Sequence, residues 1–267
     1  FKNKNFNTIN NMTQLRDYHN KIKFQLLHEF ISLIQSQNKN DNILDIGVGR
    51  GGDMHKWNKC NVQNVYGIDP SKASIFEAIK RFKQTDYLRA RNYKFYFYKK
   101  ADGFMNIYNQ KIQNESQTFN VITCMFAFHY FFMNETTLTT FFKNSKELLN
   151  TNGYLLITVP SGNEIKTLLK DNYVYENKSI RIEANFKHTE GLGDPIDFYL
   201  RDTLYFGEKI ISKEYLVFNE TVEKYAALYN FKIVKDVLFH DYLHPEINDN
   251  DDKIASSLNK IYVLQKC

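Results

Sequence analysis

The sequence NILDIGVGRGGD at residues 42–53 decides the fold of this 267-residue chain. It is a short apolar run that ends in a GxGxxG turn, whose glycines are Gly47, Gly49 and Gly52. The next apolar run, NVYGID at residues 64–69, ends on Asp69, 22 residues after the first glycine. Glycines let the backbone approach a nucleotide closely, and a carboxylate after the second strand accepts ribose hydroxyl groups. Together the two stretches predict a strand, a turn, a helix and a second strand that hold an adenosine ribose.

Strands and helices continue to alternate after this unit, which is typical of an α/β fold with a mainly parallel sheet covered on both faces. Apolar runs predict strands at residues 42–46, 64–69, 93–98, 119–125, 154–159, 232–238 and 260–264. Helical spacing predicts helices at residues 15–34, 138–149 and 212–229, with two more after Asp53 and Pro70. The acidic run at 248–252 is interpreted as an exposed loop.

The chain is expected to form a single domain over residues 1–267. Its expected segments are an N-terminal helical segment (1–40), a cofactor-binding core (41–161), an insertion over the active site (162–209) and a C-terminal helix with closing strands (210–267). The beginning, FKNKNFNTIN, has neither an initiator Met nor the apolar stretch of a signal peptide. We therefore interpret the chain as a piece of a longer polypeptide.

Composition excludes several classes of protein. Hydrophobic residues make up 43% and charged residues 24% of the chain, which argues against both disorder and an integral membrane protein. The longest apolar stretch, 121–133, is shorter than the roughly 20 residues that a spanning helix needs. Cys60, Cys124 and Cys267 form no CxxC pair, so we expect neither a disulfide framework nor a metal site. A reducing compartment follows.

Positive charge is concentrated in the first part of the chain. Residues 1–100 contain 18 Lys and Arg against 8 Asp and Glu, a net charge of +10, although the whole chain carries only +5. Such an asymmetry has two interpretations, a solvated surface or a surface that meets phosphates. The sequence leaves both open.

Asp45 distinguishes between two kinds of adenosine ligand. It lies two residues before Gly47, where a carboxylate suits the ammonium and sulfonium of S-adenosylmethionine and would repel the pyrophosphate of NAD. The alternative is a simple glycine turn in which Asp69 only caps the helix after Pro70.

Two further candidates follow later strands. Asp102, after the third strand, could accept a hydrogen bond from an adenine amino group or could be a solvated turn residue. His129 lies among Phe126, Phe128 and Tyr130 after the fourth strand, where aromatic side chains could stack on a base. A His at such a position is also commonly structural.

These motifs resemble those of the mRNA cap guanine-N7 methyltransferases, in particular the methyltransferase domains of large-DNA-virus capping enzymes. The resemblance covers almost the whole chain and is carried by residues 18–23, 42–53 with Lys56-Trp57, 126–130, 153–160 and 214–217. It implies a class I S-adenosylmethionine-dependent methyltransferase fold, Rossmann-like, with a mainly parallel seven-stranded sheet and an inserted lid-like segment. The late motif is expected at the start of a helix.

The resemblance also implies two sets of site residues. With Asp45 and Gly49 from the motif, the cofactor-binding set is Lys23, Asp45, Gly47, Gly49, Asp69, Asp102, Met125 and Tyr130. The cap-binding set is His19, Asn20, Arg50, Lys56, Arg81, His129, Glu214 and Tyr262. The chain departs from cellular relatives at Val48, Arg50, Met125 and His19-Asn20, where those have Cys, Lys, Gln and Asn-Asn. Arg50 keeps the positive charge, whereas Met125 cannot donate a hydrogen bond as Gln does.

The implied reaction transfers a methyl group from S-adenosylmethionine to N7 of the cap guanine, yielding m7GpppN and S-adenosylhomocysteine. Guanine N7 carries a lone pair and no proton, so the reaction needs no general base and no metal. His129, Tyr130 and Glu214 would serve as positioners, with Glu214 accepting from guanine N1–H and the exocyclic amine. Alternatively, Glu214 is an ordinary acidic residue in the first turn of a helix capped by Ser212.

Two other functions remain open on the sequence, a methyltransferase for a small molecule and a catalytically silent subunit with the same fold. The resemblance implies capped RNA as the partner and no membrane. Triphosphatase and guanylyltransferase domains in the same polypeptide, and a stimulatory subunit, are further expected partners. The expected location is the host cytoplasm, in a viral factory or virion.

Overall fold

The computed structural model describes residues 4–37, 39, 42–97, 118–184, 191–200 and 213–267. In chain order, the helices and strands of these residues are α1 (Lys4–Ser36), β1 (Ile43–Ile46), α2 (Met54–Lys59), β2 (Asn64–Asp69), α3 (Lys72–Gln84), β3 (Asn92–Phe97), β4 (Phe119–Met125), α4 (Glu135–Leu148), β5 (Leu149–Pro160), α5 (Gly162–Leu169), β6 (Val174–Glu176), β7 (Ile180–Ala184), β8 (Pro195–Leu200), β9 (Lys213–Tyr215), α6 (Asn219–Leu228), β10 (Phe231–Leu238), α7 (Phe239–Tyr242), α8 (Asn250–Ser257) and β11 (Asn259–Lys266). Two 3-10 helices span Asp86–Leu88 and Phe128–Met133.

The main sheet has seven strands in the order β10-β11-β5-β4-β1-β2-β3. Strands β1 to β5 run parallel, and β11 is antiparallel to both β5 and β10. The predicted mainly parallel, seven-stranded sheet is therefore confirmed. The register sets Asp45 of β1 beside Gly67 of β2 and Thr123 of β4. Because parallel strands end at one edge, the turns after β1, β2 and β4 meet there.

Helices cover both faces of this sheet. One core packs α1, α2 and α3 against it through residues such as Ile22, Leu26 and Trp57. The other packs α4 and α6 through Phe142 and Tyr225. Strands β1 and β4 are buried at every residue because neither face meets water, and this explains why they read as continuous apolar runs.

The predicted insertion is a second sheet of four antiparallel strands in the order β6-β7-β8-β9. It extends to Tyr215 and so crosses the expected boundary after residue 209. The helix predicted from Ser212 begins only at Asn219, because Lys213–Tyr215 pairs with residues of β8 instead. Glu214 is therefore a strand residue, and the expectation that it starts a helix was wrong.

The acidic run at 248–252 is not an exposed loop. Asp249 is the N-cap of α8, where its side chain accepts from the backbone amides of Asp251 and Asp252. Asp252 is buried and accepts a hydrogen bond from Ser179 Oγ at the β6–β7 turn. The run thus holds the tip of the second sheet. No helix in the part of the chain that the structure describes is long and apolar enough to cross a membrane.

Candidate functional site

The glycine turn after β1 crosses the end of β2. The backbone amides of Gly47 and Val48 donate to the carbonyl of Ile68 at 2.9 and 3.0 Å. Gly47 has φ +80°, and a Cβ there would lie 2.4 Å from Cβ of Ala127, so only glycine fits. Gly49 also has positive φ, but a Cβ on it would point into open space, with no atom within 4 Å. The turn therefore leaves open space beside Gly49 that a ligand can occupy.

Asp69 holds this turn against the start of α3. One carboxylate oxygen accepts from the Gly49 amide at 2.9 Å and the other from the Ser71 amide at 2.7 Å. The cap of α3 is Ser71 itself, whose hydroxyl accepts from Ser74 N–H. Asp69 is therefore not the N-cap residue of α3, although it accepts a hydrogen bond from the amide of that residue. Each carboxylate oxygen has a second lone pair, which suits it to accept hydroxyl donors from a ribose.

Asp45 is a buried carboxyl at the same edge. Thr123 Oγ1 donates to it at 2.6 Å. Burial, together with the nearby Asp53 and Asp69, raises its pKa to about 8, although Thr123 and Lys23 oppose the rise. A buried carboxyl in this state is stabilised as an anion by an added positive charge. The geometry therefore fits a ligand that carries an ammonium group.

The raised pKa of Asp45 predicts pH-dependent binding of a cationic ligand. Below about pH 8 the free protein holds a proton on Asp45 that an ammonium ligand must displace. The dissociation constant of S-adenosylmethionine should therefore rise about tenfold for each unit that the pH falls between 7.5 and 6. Calorimetry in buffers of different ionisation enthalpy checks this by the proton released on binding.

The control for that experiment is Asp45→Asn, which should bind weakly and with no pH dependence over this range. A wild-type protein whose affinity does not change with pH would contradict the assignment.

The raised pKa of Asp45 also affects the stability of the fold, which should fall as the pH rises, whereas the affinity for the ligand should increase. The folded chain holds a proton that the unfolded chain releases near pH 4, so this contribution to stability falls as the pH rises from about 4 to 8.

Asp53, which follows the glycine turn, joins α1 to α2. It forms ion pairs with Lys23 at 2.8 Å and with Lys56 at 2.6 Å. Burial alone would raise the pKa of Asp53, but the two lysines outweigh it and hold that pKa at about 2. Sequence reasoning gave Asp53 no role, although its spacing of three residues from Lys56 on one helical turn was a usable signal. The ion pair between Asp53 and Lys23 places the Lys23 ammonium group near Asp45.

Replacing Asp53 by Asn should destabilise the fold strongly. Lys56 is only 1% exposed, so the change would leave a buried cation without its partner, at a cost of about 3–5 kcal/mol in the free energy of unfolding. Urea denaturation measures the loss. The matched control is Glu246→Gln, which breaks an exposed pair with Lys21 and should cost less than about 1 kcal/mol. Equal losses in the two variants would contradict a structural role for Asp53.

The chain leaves β4 through an unusual turn. Phe126 has φ +57°, a left-handed conformation that costs a non-glycine residue about 1–2 kcal/mol. Its amide donates to the Thr158 carbonyl at 2.8 Å, and its ring stacks on His19 with centroids 5.6 Å apart. Met125, just before it, accepts a hydrogen bond from Thr158 Oγ1 at its sulfur. These contacts fix the backbone that carries His129.

His129 and Glu214 face one another across the two sheets. His129 Nε2 lies 3.8 Å from Glu214 Oε2, and neither ring nitrogen has a hydrogen-bond partner among the residues that the structure describes. His129 is 3% exposed, and burial lowers its pKa to about 3. Burial likewise raises the pKa of Glu214 to about 8. The two buried ring nitrogens of His129 without hydrogen-bond partners are costly in a folded protein, and a ligand that bonds to them beside Glu214 would remove that cost.

Backbone hydrogen bonds hold the second sheet against His129. Gly193 N–H donates to the Phe132 carbonyl at 2.9 Å, and Leu216 N–H donates to the Asp194 carbonyl at 3.0 Å. Gly162, the first residue of α5 just after β5, donates its amide hydrogen to the Val217 carbonyl at 2.7 Å. The strand that carries Glu214 is thereby fixed to the edge of the main sheet.

Comparison with known proteins identifies the family. A family model described as the mRNA (guanine-N(7))-methyltransferase domain matches residues 3–265. The chain belongs to this family. Among its relatives, an "mRNA cap guanine-N(7) methyltransferase" of Drosophila melanogaster is 26% identical over 243 residues, which cover 85% of this chain and 55% of that protein. The "Probable mRNA-capping enzyme" of Acanthamoeba polyphaga mimivirus is 28% identical over 246 residues, 80% of this chain and 20% of that protein.

Solved structures agree on the fold. An S-adenosylmethionine-dependent methyltransferase from Clostridium acetobutylicum is similar with a TM-score of 0.57 at 17% identity, covering 91% of this chain and 92% of that one. The predicted class I methyltransferase fold is thus confirmed. The chain spans about half the length of the Drosophila protein and a fifth of the viral one.

Three of the cap-binding residues implied by the resemblance are buried or packed against other side chains in this structure. Lys56 is buried in its ion pair with Asp53 and has no surface to offer a phosphate. Tyr262 is fully buried in the core of β11, and its hydroxyl donates to Asn219 Oδ1 at 2.5 Å. His19 packs on Phe126, with Nε2 3.1 Å from Ser256 Oγ, and burial lowers its pKa to about 3. In all three residues, the side chain that the resemblance assigns to the cap instead contacts other side chains of the protein.

The other implied residues are placed as follows. Arg50 is exposed after Gly49 and forms no ion pair with a described residue. Arg81 lies in the last turn of α3, where it pairs with Glu77 instead of joining His129 and Glu214. Asn20 and Tyr130 are partly buried, and Tyr130 packs against the His129 ring. Asp102 lies outside the described residues. Within the described ranges, no group of three His, Cys, Asp or Glu side chains could hold a metal ion.

Proposed function

We propose that this chain transfers a methyl group from S-adenosylmethionine to N7 of the guanine in an mRNA cap, converting GpppN to m7GpppN. One observation carries the proposal: His129, whose buried ring nitrogens have no hydrogen-bond partner among the described residues, faces the largely buried Glu214 at the sheet edge where the glycine turn lies. The family and its named relatives support the same reaction.

The residues after β1 and β2 fit S-adenosylmethionine. Asp45 would pair with the ammonium group, Asp69 would accept from the ribose hydroxyls, and the open space beside Gly49 leaves room for the ligand. Lys23 is the cation near Asp45 that could meet the carboxylate of the methionine moiety. When bound, this cofactor supplies a methyl group on a positively charged sulfur. The chain's contribution is to bind it in one orientation.

Glu214 and His129 suit recognition of guanine. Guanine presents N1–H and an exocyclic amine as adjacent donors, and an ionised Glu214 can accept both. Neutral His129 can donate or accept at the ring nitrogens, since its lowered pKa keeps it uncharged. The donors of the base favour the carboxylate form of Glu214 that burial disfavours. We therefore assign base selectivity to Glu214.

Catalysis then follows from positioning. Guanine N7 needs no proton removed, so no general base is required of this chain. Holding the base at one place and excluding water supplies the entropic advantage, and the exposed Arg50 is placed beyond the glycine turn to neutralise cap phosphates. His129, Glu214 and Tyr130 are positioning residues in this scheme.

The alternatives make different demands on the site. A small-molecule methyltransferase has no need of a buried carboxylate that matches the donor pair of guanine. A silent subunit has no need of Asp45, Asp69 and the glycine turn in intact geometry. The site supports cap methylation better than either.

The test is to incubate the protein with methyl-labelled S-adenosylmethionine and GpppA-capped RNA and then digest the product to nucleosides and caps. Label in 7-methylguanosine is the expected result. RNA already capped with m7G and RNA capped with ApppA are the controls, and neither should take up label. Cofactor binding without cap methylation, even with candidate partner domains added, would favour a small-molecule substrate.

We also propose further domains, a partner subunit and a cellular location for this chain. The mimivirus relative is named a capping enzyme and is about five times as long as the matched region, which supports triphosphatase and guanylyltransferase domains in one polypeptide. A stimulatory subunit is a further proposed partner. The free cysteines Cys60, Cys124 and Cys267 support a reducing compartment, for which we propose the host cytoplasm, in a viral factory or virion.

A further inference from the structure

The solvent side of α3 carries lysines around an exposed aromatic ring. Lys72, Phe76, Lys80 and Lys83 follow one another at spacings of four, four and three residues, which place them on one face of a helix. All four are exposed, and Phe76 exposes 64% of its surface. These four residues are called the α3 stripe below.

The three lysines of the α3 stripe are not neutralised within the described structure. None forms an ion pair with a described residue, whereas Arg81 on another side of the helix pairs with Glu77. The stripe extends over about 16 Å of helix. The stripe accounts for part of the basic excess of residues 1–100, and its lysines are distinct from Lys23 and Lys56, which form ion pairs with Asp53.

The chemistry of the α3 stripe matches single-stranded RNA. Lysines bind successive phosphates, and an exposed ring offers a face on which any base can stack. A second exposed ring, Tyr87, lies in the 3-10 helix that follows α3, and 60% of its surface is exposed. Cations interleaved with aromatics bind the backbone and bases without reading sequence, as a transcript-binding surface requires.

The position of α3 connects the stripe to the site. The helix begins after Asp69, whose carboxylate holds the Gly49 amide. A Cβ on Gly51 would lie 3.4 Å from Cβ of Ala78, so the glycine turn packs directly on α3. Arg50 projects from that turn into solvent. Lys72, the first residue of the stripe, follows Asp69 by only three residues, so an RNA whose cap phosphates meet Arg50 has the first turn of α3 close by.

We propose that the α3 stripe binds the body of the transcript, downstream of the cap. The inference rests on the proposed function for the identity of the RNA. It assigns to Lys72, Lys80 and Lys83 contacts with phosphates and to Phe76 stacking on a base.

The test uses two variants, Lys72→Gln/Lys80→Gln/Lys83→Gln and Phe76→Ala. Fluorescence anisotropy with an uncapped 25-nucleotide RNA measures binding without any methylation. At 0.1 M salt the triple variant should bind at least tenfold more weakly, and the slope of log affinity against log salt should fall by about 2, at roughly 0.7 for each lost phosphate contact. Phe76→Ala should weaken binding at least fivefold.

Matched controls remove equivalent groups elsewhere. Lys143→Gln/Lys224→Gln/Lys232→Gln neutralises three exposed lysines on α4, α6 and β10, and Leu228→Ala truncates an apolar side chain that is also 64% exposed. Both controls should stay within twofold of wild type. Retained binding of S-adenosylmethionine shows that each variant is folded.

Kinetics separate this inference from the proposed function. The stripe variants should raise KM for capped 25-nucleotide RNA and leave KM for the GpppA dinucleotide within twofold. An unchanged RNA affinity, as an acidic protein partner would give, overturns the inference, and so does an equal loss in the control variants. A wild-type protein that binds RNA through the stripe but methylates no cap would instead overturn the proposed function alone.

Discussion

Replacing Glu214 by Gln should lower kcat/KM for capped RNA by roughly 10²- to 10⁴-fold. Glutamine keeps the shape of the side chain but has one acceptor atom, and its amide donors face the donors of guanine. Two hydrogen bonds to a charged acceptor are lost, each worth about 1.5–3 kcal/mol. Methyl transfer to GpppA-capped RNA measures the effect, and calorimetry should show S-adenosylmethionine affinity within twofold of wild type.

The control for this change is Glu183→Gln on β7, in the same four-stranded sheet, where the carboxylate pairs with the exposed Arg181. It should leave kcat/KM within twofold. If Glu214→Gln remained folded but lost cofactor binding together with methylation, Glu214 would belong to the cofactor site and not to the guanine site. Full activity in the variant would remove Glu214 from recognition altogether.

Gly47→Ala should abolish cofactor binding and destabilise the protein by about 2–5 kcal/mol. The new Cβ would lie 2.4 Å from Cβ of Ala127, and φ +80° is strained for any residue with a Cβ. Overpacking costs about 1–3 kcal/mol and the left-handed backbone about 1–2 kcal/mol. Urea denaturation gives the change in unfolding free energy, and calorimetry gives the loss of binding.

Gly52→Ala is the matched control within the same motif. Gly52 has no positive φ, and a Cβ there meets no atom within 4 Å. Its free energy of unfolding should be unchanged or slightly higher, because alanine restricts the unfolded chain. A Gly47→Ala protein as stable as Gly52→Ala would show that the turn relaxes and that the contact with Ala127 does not select glycine.

The mainly parallel, seven-stranded sheet and its cofactor edge were predictable from sequence. The glycine turn and Asp69 lie on consecutive parallel strands, and such strands bring their carboxyl ends to one edge whatever the rest of the chain does. The same short-range spacing predicted that Asp45 lies near the end of β1, two residues before Gly47. Short-range spacing was enough because neighbouring strands and their connecting turn are close in sequence.

Other parts of the candidate site required the folded chain. The helix expected at Glu214 is a strand, because hydrogen bonds between β9 and β8 outweigh a helical pattern that looked plausible locally. Lys56 lies just after the glycine motif in sequence, but in the structure its ammonium group is buried in an ion pair with Asp53. The family resemblance implied that Tyr262 touches the cap, but its side chain is fully buried in β11.

The α/β sheet, the glycine turn and its carboxylates Asp45 and Asp69 are thus predictable from local sequence, since they depend on residues within consecutive strand-turn-helix units. The distant side chains that complete the site are brought together by the packing of the folded chain. Folding brings Glu214 to 3.8 Å from His129 across 85 residues of chain, and it leaves the buried His129 ring nitrogens without a hydrogen-bond partner among the described residues. Contacts of that separation depend on how two sheets pack, and no local pattern encodes the packing of one sheet on another.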